Sequence, residues 1–148
     1  MIFPKRIRAK DWKTMKKTAL INSEVSYVIA SLGHMDMLVI ADAGLPIPVE
    51  TQRIDLALTR GIPSFLDTLR VVMEEMHVEK ALVSEEVKQA SPKIYAAIYA
   101  QLGNVPIEAI SHKDFKTMTA SAKAIIRTGE YTPYANVILV SGVWGFSS

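Results

Sequence analysis

Met37-Leu38-Val39-Ile40-Ala41-Asp42-Ala43-Gly44-Leu45-Pro46-Ile47-Pro48 is the stretch that decides how the rest of the chain reads. Its first five residues are continuously apolar, as in a strand buried on both faces. Asp42 closes the run, and Gly44 and Pro46 turn the chain away. Immediately upstream, Gly33 stops a helical pattern and is followed by His34, Met35 and Asp36. A histidine thus follows a helix, and a carboxylate sits at the carboxyl end of the next strand. α/β proteins keep their chemistry outside the carboxyl ends of their strands.

Working outward, Asn22-Ser23 can cap a helix over 24–32, with Val25, Val28, Ile29 and Leu32 at helical spacing. Downstream of the turn, Ile54, Leu56 and Leu58 alternate in a second strand over 53–58. Pro63 opens the strongest helix, 64–76, whose stripe is Phe65, Leu66, Leu69, Val72, Met73 and Met76. A strand over 81–84 follows, then a helical stretch from Glu85 and a helix from Ser91-Pro92 to about Leu102. Residues 105–110 read as strand and 113–121 as a short helix behind Ser111 or His112. Strands over 123–127 and 137–143 close the chain around a Thr128-Gly129-Glu130 turn. This alternation predicts a single α/β domain with helices packed around a largely parallel central sheet.

The chain has 148 residues, no cysteine and a formal net charge of +2. Disulfides, thiolate nucleophiles and cysteine-based metal sites are therefore excluded. The sequence pI of about 8.8 hints at nucleic acid, but the charge is unevenly placed. Residues 1–17 carry +6 and the remainder −4, so the body is mildly acidic and no nucleic-acid partner is expected. The basic start lacks an apolar core, so it is not a secretory signal. No run of about 18 apolar residues is present, so no membrane partner is expected and the default location is cytoplasmic. Met15-Lys16-Lys17 has the character of a natural start. Residues 1–14 read as a basic extension, expected to be disordered, and 15–148 as the domain. Hydrophobic residues make up 49% of the chain, which fits either a dense core or a subunit interface.

His34 is a candidate general acid or base, because imidazole both gives and takes a proton near neutral pH; the plainer reading is a helix-end or surface histidine. Asp42 could hold the second nitrogen of His34, bind sugar-like hydroxyls, or simply bond its own turn. His112, with Lys116 one helical turn on, reads equally as a ligand contact or a helix cap. Tyr134 and Asn136 suit hydroxyl groups, and in an extended segment they would point the same way with the Ala135 backbone between; a plain turn is the alternative. His77 reads as surface. The three histidines are dispersed, so no metal is expected. Dinucleotide, phosphate-loop and nucleophile-elbow motifs are all missing. Chemistry that only moves protons needs none of them.

Four motifs, in order, carry a resemblance: Leu32-Gly33-His34-x-Asp36; Asp42-Ala43-Gly44-Leu45-Pro46-Ile47-Pro48; Arg53-Ile54-Asp55-Leu56-Ala57-Leu58; and Arg127-Thr128-Gly129-Glu130 followed by Pro133-Tyr134-Ala135-Asn136. In these the chain, from Met15 through Val143, resembles the D-ribose pyranase family, sugar ring isomerases of the ribose and fucose mutarotase superfamily. The resemblance implies His34 as proton donor, and Asp42, His112, Tyr134, Ala135 and Asn136 as sugar-binding residues, with Lys116 as a further contributor. It implies a cytoplasmic, cofactor-free homodecamer of two pentameric rings, with D-ribose bound at subunit boundaries. Asp42-Ala43-Gly44 favours the ribose branch over the fucose mutarotases, which carry Asp-Ala-His there. Met35 departs from the threonine expected between Gly-His and Asp.

The activity so implied is interconversion of β-D-ribopyranose and β-D-ribofuranose in support of ribose catabolism. The alternatives are a mutarotase for another sugar such as L-fucose, or a non-catalytic sugar-binding accessory of ribose transport.

Overall fold

The computed structural model describes residues 15–143. The central strand β1 (Met37–Ala41) has Leu38, Val39, Ile40 and Ala41 fully buried. Its side chains alternate between two cores. Leu38 and Ile40 join the larger cluster, and Val39 and Ala41 the smaller one, with Leu82, Ile125 and Ile138. Burial on both faces is why the strand reads as an unbroken apolar run.

Helix α1 (Ser23–Ser31) precedes β1, and the Asn22 side chain caps it by accepting from Val25 N at 2.9 Å. After β1 come β2 (Gln52–Asp55) and α2 (Phe65–Glu75), the latter capped by Ser64 Oγ accepting from Asp67 N at 3.1 Å. β3 (Val78–Ser84), α3 (Val87–Ala90) and α4 (Pro92–Leu102) follow. The chain then forms β4 (Ile107–Ile110), α5 (His112–Thr119), β5 (Ala124–Arg127) and β6 (Val137–Ser141). α1, α2 and α4 supply the larger core with Val25, Phe65, Leu69, Val72 and Ile98, while Phe115 of α5 fills the smaller one.

The sheet order is β2-β5-β1-β6-β3-β4. β5 pairs parallel with both β1 and β2, and β3 parallel with β4, while β6 runs antiparallel to its neighbours β1 and β3. Five strands therefore point the same way, and their carboxyl ends share one edge of the sheet with the start of β6. This is the expected α/β architecture with a largely parallel sheet.

Two local expectations are corrected. β5 and β6 do not pair around the Thr128-Gly129-Glu130 turn, because β1 is inserted between them. β2 ends at Asp55, whose Oδ1 accepts from Ala57 N at 3.0 Å and bends the chain, leaving Leu58 exposed. Of the two readings of the segment before β6, the plain turn is the one the structure adopts. Tyr134 has a φ of 62° and its carbonyl accepts from Asn136 N at 2.9 Å, so the chain turns sharply there. The expectation for residues 1–14 lies outside the described residues.

Candidate active site

Polar residues converge where the parallel strands end. Asp42 follows β1 directly. Its backbone N donates to Asn136 Oδ1 at 2.7 Å, and Asn136 Nδ2 donates back to Asp42 Oδ2 at 3.0 Å. Asp42 Oδ1 accepts from Gly44 N at 2.9 Å in an Asx turn. The next residue is anchored by β5 and the turn after it: Arg127 Nε donates to Ala43 O at 3.0 Å, and Ala43 N donates to Glu130 O at 2.8 Å. Arg127 Nη1 also donates to both Asp55 oxygens, at 3.1 and 3.2 Å. Burial works to raise the Asp55 pKa, but the Ala57 amide, Arg127 and Arg53 together hold it below the ordinary value. A cleft of about 380 Å³ opens beside this loop, with Asp42, Gly44, Arg127, Glu130 and Thr132 among its walls.

His112, the first residue of α5, is fixed on several sides. Its backbone N donates to the Glu86 carboxylate, 2.9 Å from the nearer oxygen. Its Nδ1 shares a 2.7 Å hydrogen bond with the buried Ser84 hydroxyl at the end of β3. The ring meets Tyr134 edge-on, with centroids 4.9 Å apart, and stacks on Phe115 at 6.1 Å. Burial and the Lys116 ammonium push its pKa below 6.5, against the opposing pull of Glu86 and Asp42. Burial and Lys116 thus favour the neutral ring. With Nδ1 engaged by Ser84, Nε2 is the nitrogen left for a ligand.

Tyr134 and Asn136 reach this group through the turn rather than along a strand. Asn136 is fully buried, with its amide turned onto Asp42. Ala135 is also fully buried and packs in the larger core, with its N donating to Thr132 O at 3.3 Å. Asp42, His112, Tyr134 and Asn136 thus form one connected cluster, with Lys116 acting on it through its charge.

His34 is not part of that cluster within one chain. It precedes the amino end of β1, whereas Asp42 follows the carboxyl end, and five strand residues separate the two by roughly 17 Å. Asp42 therefore does not hold the His34 ring. Glu79 does, with its oxygens 3.0 and 3.2 Å from Nε2. Sequence reasoning missed Glu79, Ser84, Glu86 and Arg127. Ser84 carried a usable signal, a polar residue ending the apolar run Ala81-Leu82-Val83, the same pattern that exposed Asp42. Glu79 carried none, since its partner lies 45 residues away.

Among the described residues no group of three or more His, Cys, Asp or Glu side chains is arranged to hold a metal ion, and no helix is long and apolar enough to cross a membrane. The model of the RbsD / FucU transport protein family matches residues 15–144. The chain belongs to the RbsD / FucU family. Within that family it is 59% identical over 129 residues to a D-ribose pyranase of Coprothermobacter proteolyticus, covering 87% of this chain and 98% of the relative. It is 60% identical to a D-ribose pyranase of Chloroflexus aggregans over the same shares of both chains. Among solved structures it is similar to RbsD of Bacillus subtilis complexed with D-ribose. That likeness has a TM-score of 0.84 and 47% identity over 87% of this chain and 98% of the other. This RbsD / FucU chain thus shares both fold and near-complete length with its relatives.

Proposed function

We propose that this chain interconverts β-D-ribopyranose and β-D-ribofuranose. The observation that carries this is its 59% identity to a D-ribose pyranase across 98% of that protein's length. The site supports the reading chemically. Opening a cyclic hemiacetal needs a proton on the ring oxygen and loss of one from the anomeric hydroxyl; the C1–O bond breaks as the carbonyl forms. Reclosure through the C4 hydroxyl gives the smaller ring.

His34 donates the proton to the ring oxygen of the pyranose, and the anomeric proton leaves to solvent. On reclosure the C4 hydroxyl returns a proton to His34, and solvent reprotonates the new anomeric oxygen. Asp42 accepts from sugar hydroxyls, Tyr134 and neutral His112 bond further hydroxyls, the Ala135 backbone adds a contact, and Asn136 holds Asp42 in place. Lys116 contributes charge. General acid–base catalysis of this kind supplies about 10²–10⁴-fold, and positioning supplies the rest.

The separation of His34 from Asp42 along β1 supports a site built from two chains. His34 of one protomer completes the pocket of another, in a homodecamer of two stacked pentameric rings. Exposed Tyr27, Val49 and Leu58 offer apolar surface for such contacts. The enzyme works in the cytoplasm, where it delivers furanose for phosphorylation in ribose catabolism.

Saturation-transfer NMR on equilibrated D-ribose tests this directly. Faster pyranose–furanose exchange with protein present, lost in His34→Ala while ribose still binds, is the expected result. Saturable ribose binding without faster exchange would replace the reading with a transport accessory. Acceleration confined to L-fucose would replace the substrate.

A further inference from the structure

Three departures from regular structure converge on a single hydrogen bond at the amino end of β1. The first is the turn that carries His34. Asp36 N donates to Gly33 O at 3.1 Å and Gly33 N donates to Asp36 Oδ2 at 2.7 Å, so the turn is closed from both sides. Met35 occupies its third position at a φ of 73°, a conformation that side chains other than glycine resist. The turn is pinned to the end of β6, with Met35 N donating to Ser141 O at 2.9 Å and Ser141 N to Asp36 O at 2.8 Å.

The second departure lies on β3. Val78 pairs with Ser141 and Lys80 with Val140, which leaves Glu79 as the extra residue of a bulge. Bulges re-aim a side chain that a regular ladder would point elsewhere. The third is Gly142, directly after β6. A Cβ there would come within 2.6 Å of His77 Cδ2 and 3.1 Å of Glu79 Cβ. A side chain there would push chiefly on the His77 ring and press on the Glu79 stem beside it.

What these features produce is the contact of Glu79 Oε2 and Oε1 with His34 Nε2, at 3.0 and 3.2 Å. The two side chains are 57% and 36% exposed, and an ion pair so open to water adds little to stability. The stability of this pair therefore does not account for a bulge, a left-handed Met35 and a closely packed glycine meeting at one place. Orientation does. A carboxylate only accepts, so Nε2 carries a hydrogen and Nδ1 is the nitrogen left to face a substrate.

We propose that Glu79 is the positioning residue of His34, holding Nε2–H so that Nδ1 alone exchanges protons with the sugar. The proposal rests on the reading of His34 as proton donor. In the imidazolium form Nδ1–H passes to the ring oxygen as the C1–O bond breaks. The neutral ring that remains is the Nε2–H tautomer, the one Glu79 already holds, so no ring flip intervenes before Nδ1 takes the proton back on reclosure.

The test uses full-length protein labelled with ¹⁵N-histidine, which has only three histidines to assign. Imidazole ¹⁵N shifts report the tautomer, and ribose exchange reports kcat and KM. The expected wild-type state is a single His34 Nε2–H tautomer. In Glu79→Ala both tautomers appear and kcat falls by about 10- to 100-fold, with KM and the unfolding temperature unchanged. Glu79→Gln, whose amide oxygen still accepts from Nε2–H, keeps the tautomer and most of the rate. Glu79→Ala with unchanged tautomer and kcat overturns the proposal, as does an equal loss in both variants accompanied by lower stability. Parallel His34→Ala separates the two levels. Full exchange there removes the proton-donor reading itself, whereas lost exchange beside a normal Glu79→Ala removes only the positioning role.

Discussion

Asn136 and Asp42 hold each other through two hydrogen bonds, Asp42 N to Asn136 Oδ1 at 2.7 Å and Asn136 Nδ2 to Asp42 Oδ2 at 3.0 Å. One amide thus satisfies a backbone donor and aims a carboxylate at once, linking the start of β6 to the end of β1. Asn136→Ala removes both bonds from a fully buried position and leaves the Asp42 amide unpaired. The expected cost is about 1–3 kcal/mol of stability, together with a raised KM for ribose. Denaturant unfolding and exchange kinetics check the two effects separately. An unchanged KM would show that Asp42 keeps its aim without Asn136.

The sheet and the site were not equally legible. β1 could be read because both faces of the sheet bury it, and Asp42 stood out as the polar residue ending an apolar run. The alternation of Ile54, Leu56 and Leu58 overextended β2, because it continues past the Asp55 turn into an exposed residue. Tyr134 turns the chain at positive φ without glycine, asparagine or aspartate to announce it. The Glu79 bulge depends on the register of β3 against β6, a relation between distant segments that local periodicity does not encode. Polar residues at strand ends could be named in advance, whereas their partners came only with the topology.

The lowered pKa of His112 sets a pH dependence with a definite sign. Burial is the leading cause, followed by Lys116, and the ordinary value is 6.5. A folded histidine with a depressed pKa binds fewer protons than its unfolded counterpart over that interval. Its contribution is therefore neutral above 6.5 and becomes destabilising as pH falls from 6.5 through the lower folded value. His112→Asn should flatten that part of the profile relative to wild type, as measured by denaturant unfolding across the interval. Identical slopes in the two proteins would contradict the assignment.

Gly129 predicts the largest single-site loss of stability. A Cβ there would meet Thr59 O, and would come within 2.6 Å of Ile62 O and 2.7 Å of Ile62 N. All three are backbone atoms, so no rotamer change relieves the clash. The same backbone is tied to Gly129 by its own bonds, Gly61 N to Gly129 O at 2.6 Å and Gly129 N to Pro63 O at 2.9 Å. Gly129→Ala should cost about 3 kcal/mol or more, read as a lower denaturation midpoint. Because the turn also carries Glu130, whose carbonyl anchors Ala43, activity should fall with it.

The separation of His34 from the Asp42 cluster makes a prediction that no single-chain site shares. His34→Ala and Asp42→Asn should each lose ribose exchange as separate preparations. In assemblies formed from both, each interface draws one side from either variant. If His34 reaches into a neighbour's pocket, about a quarter of the interfaces unite an intact His34 with an intact Asp42 after random mixing. Co-refolding equal amounts and measuring exchange by saturation transfer should therefore recover activity near that fraction of wild type. A site built within one protomer would recover none, because every chain in the mixture would still carry one of the two lesions. Recovery in co-refolded samples but not in samples mixed as intact assemblies would further show that both variants must be built into one assembly.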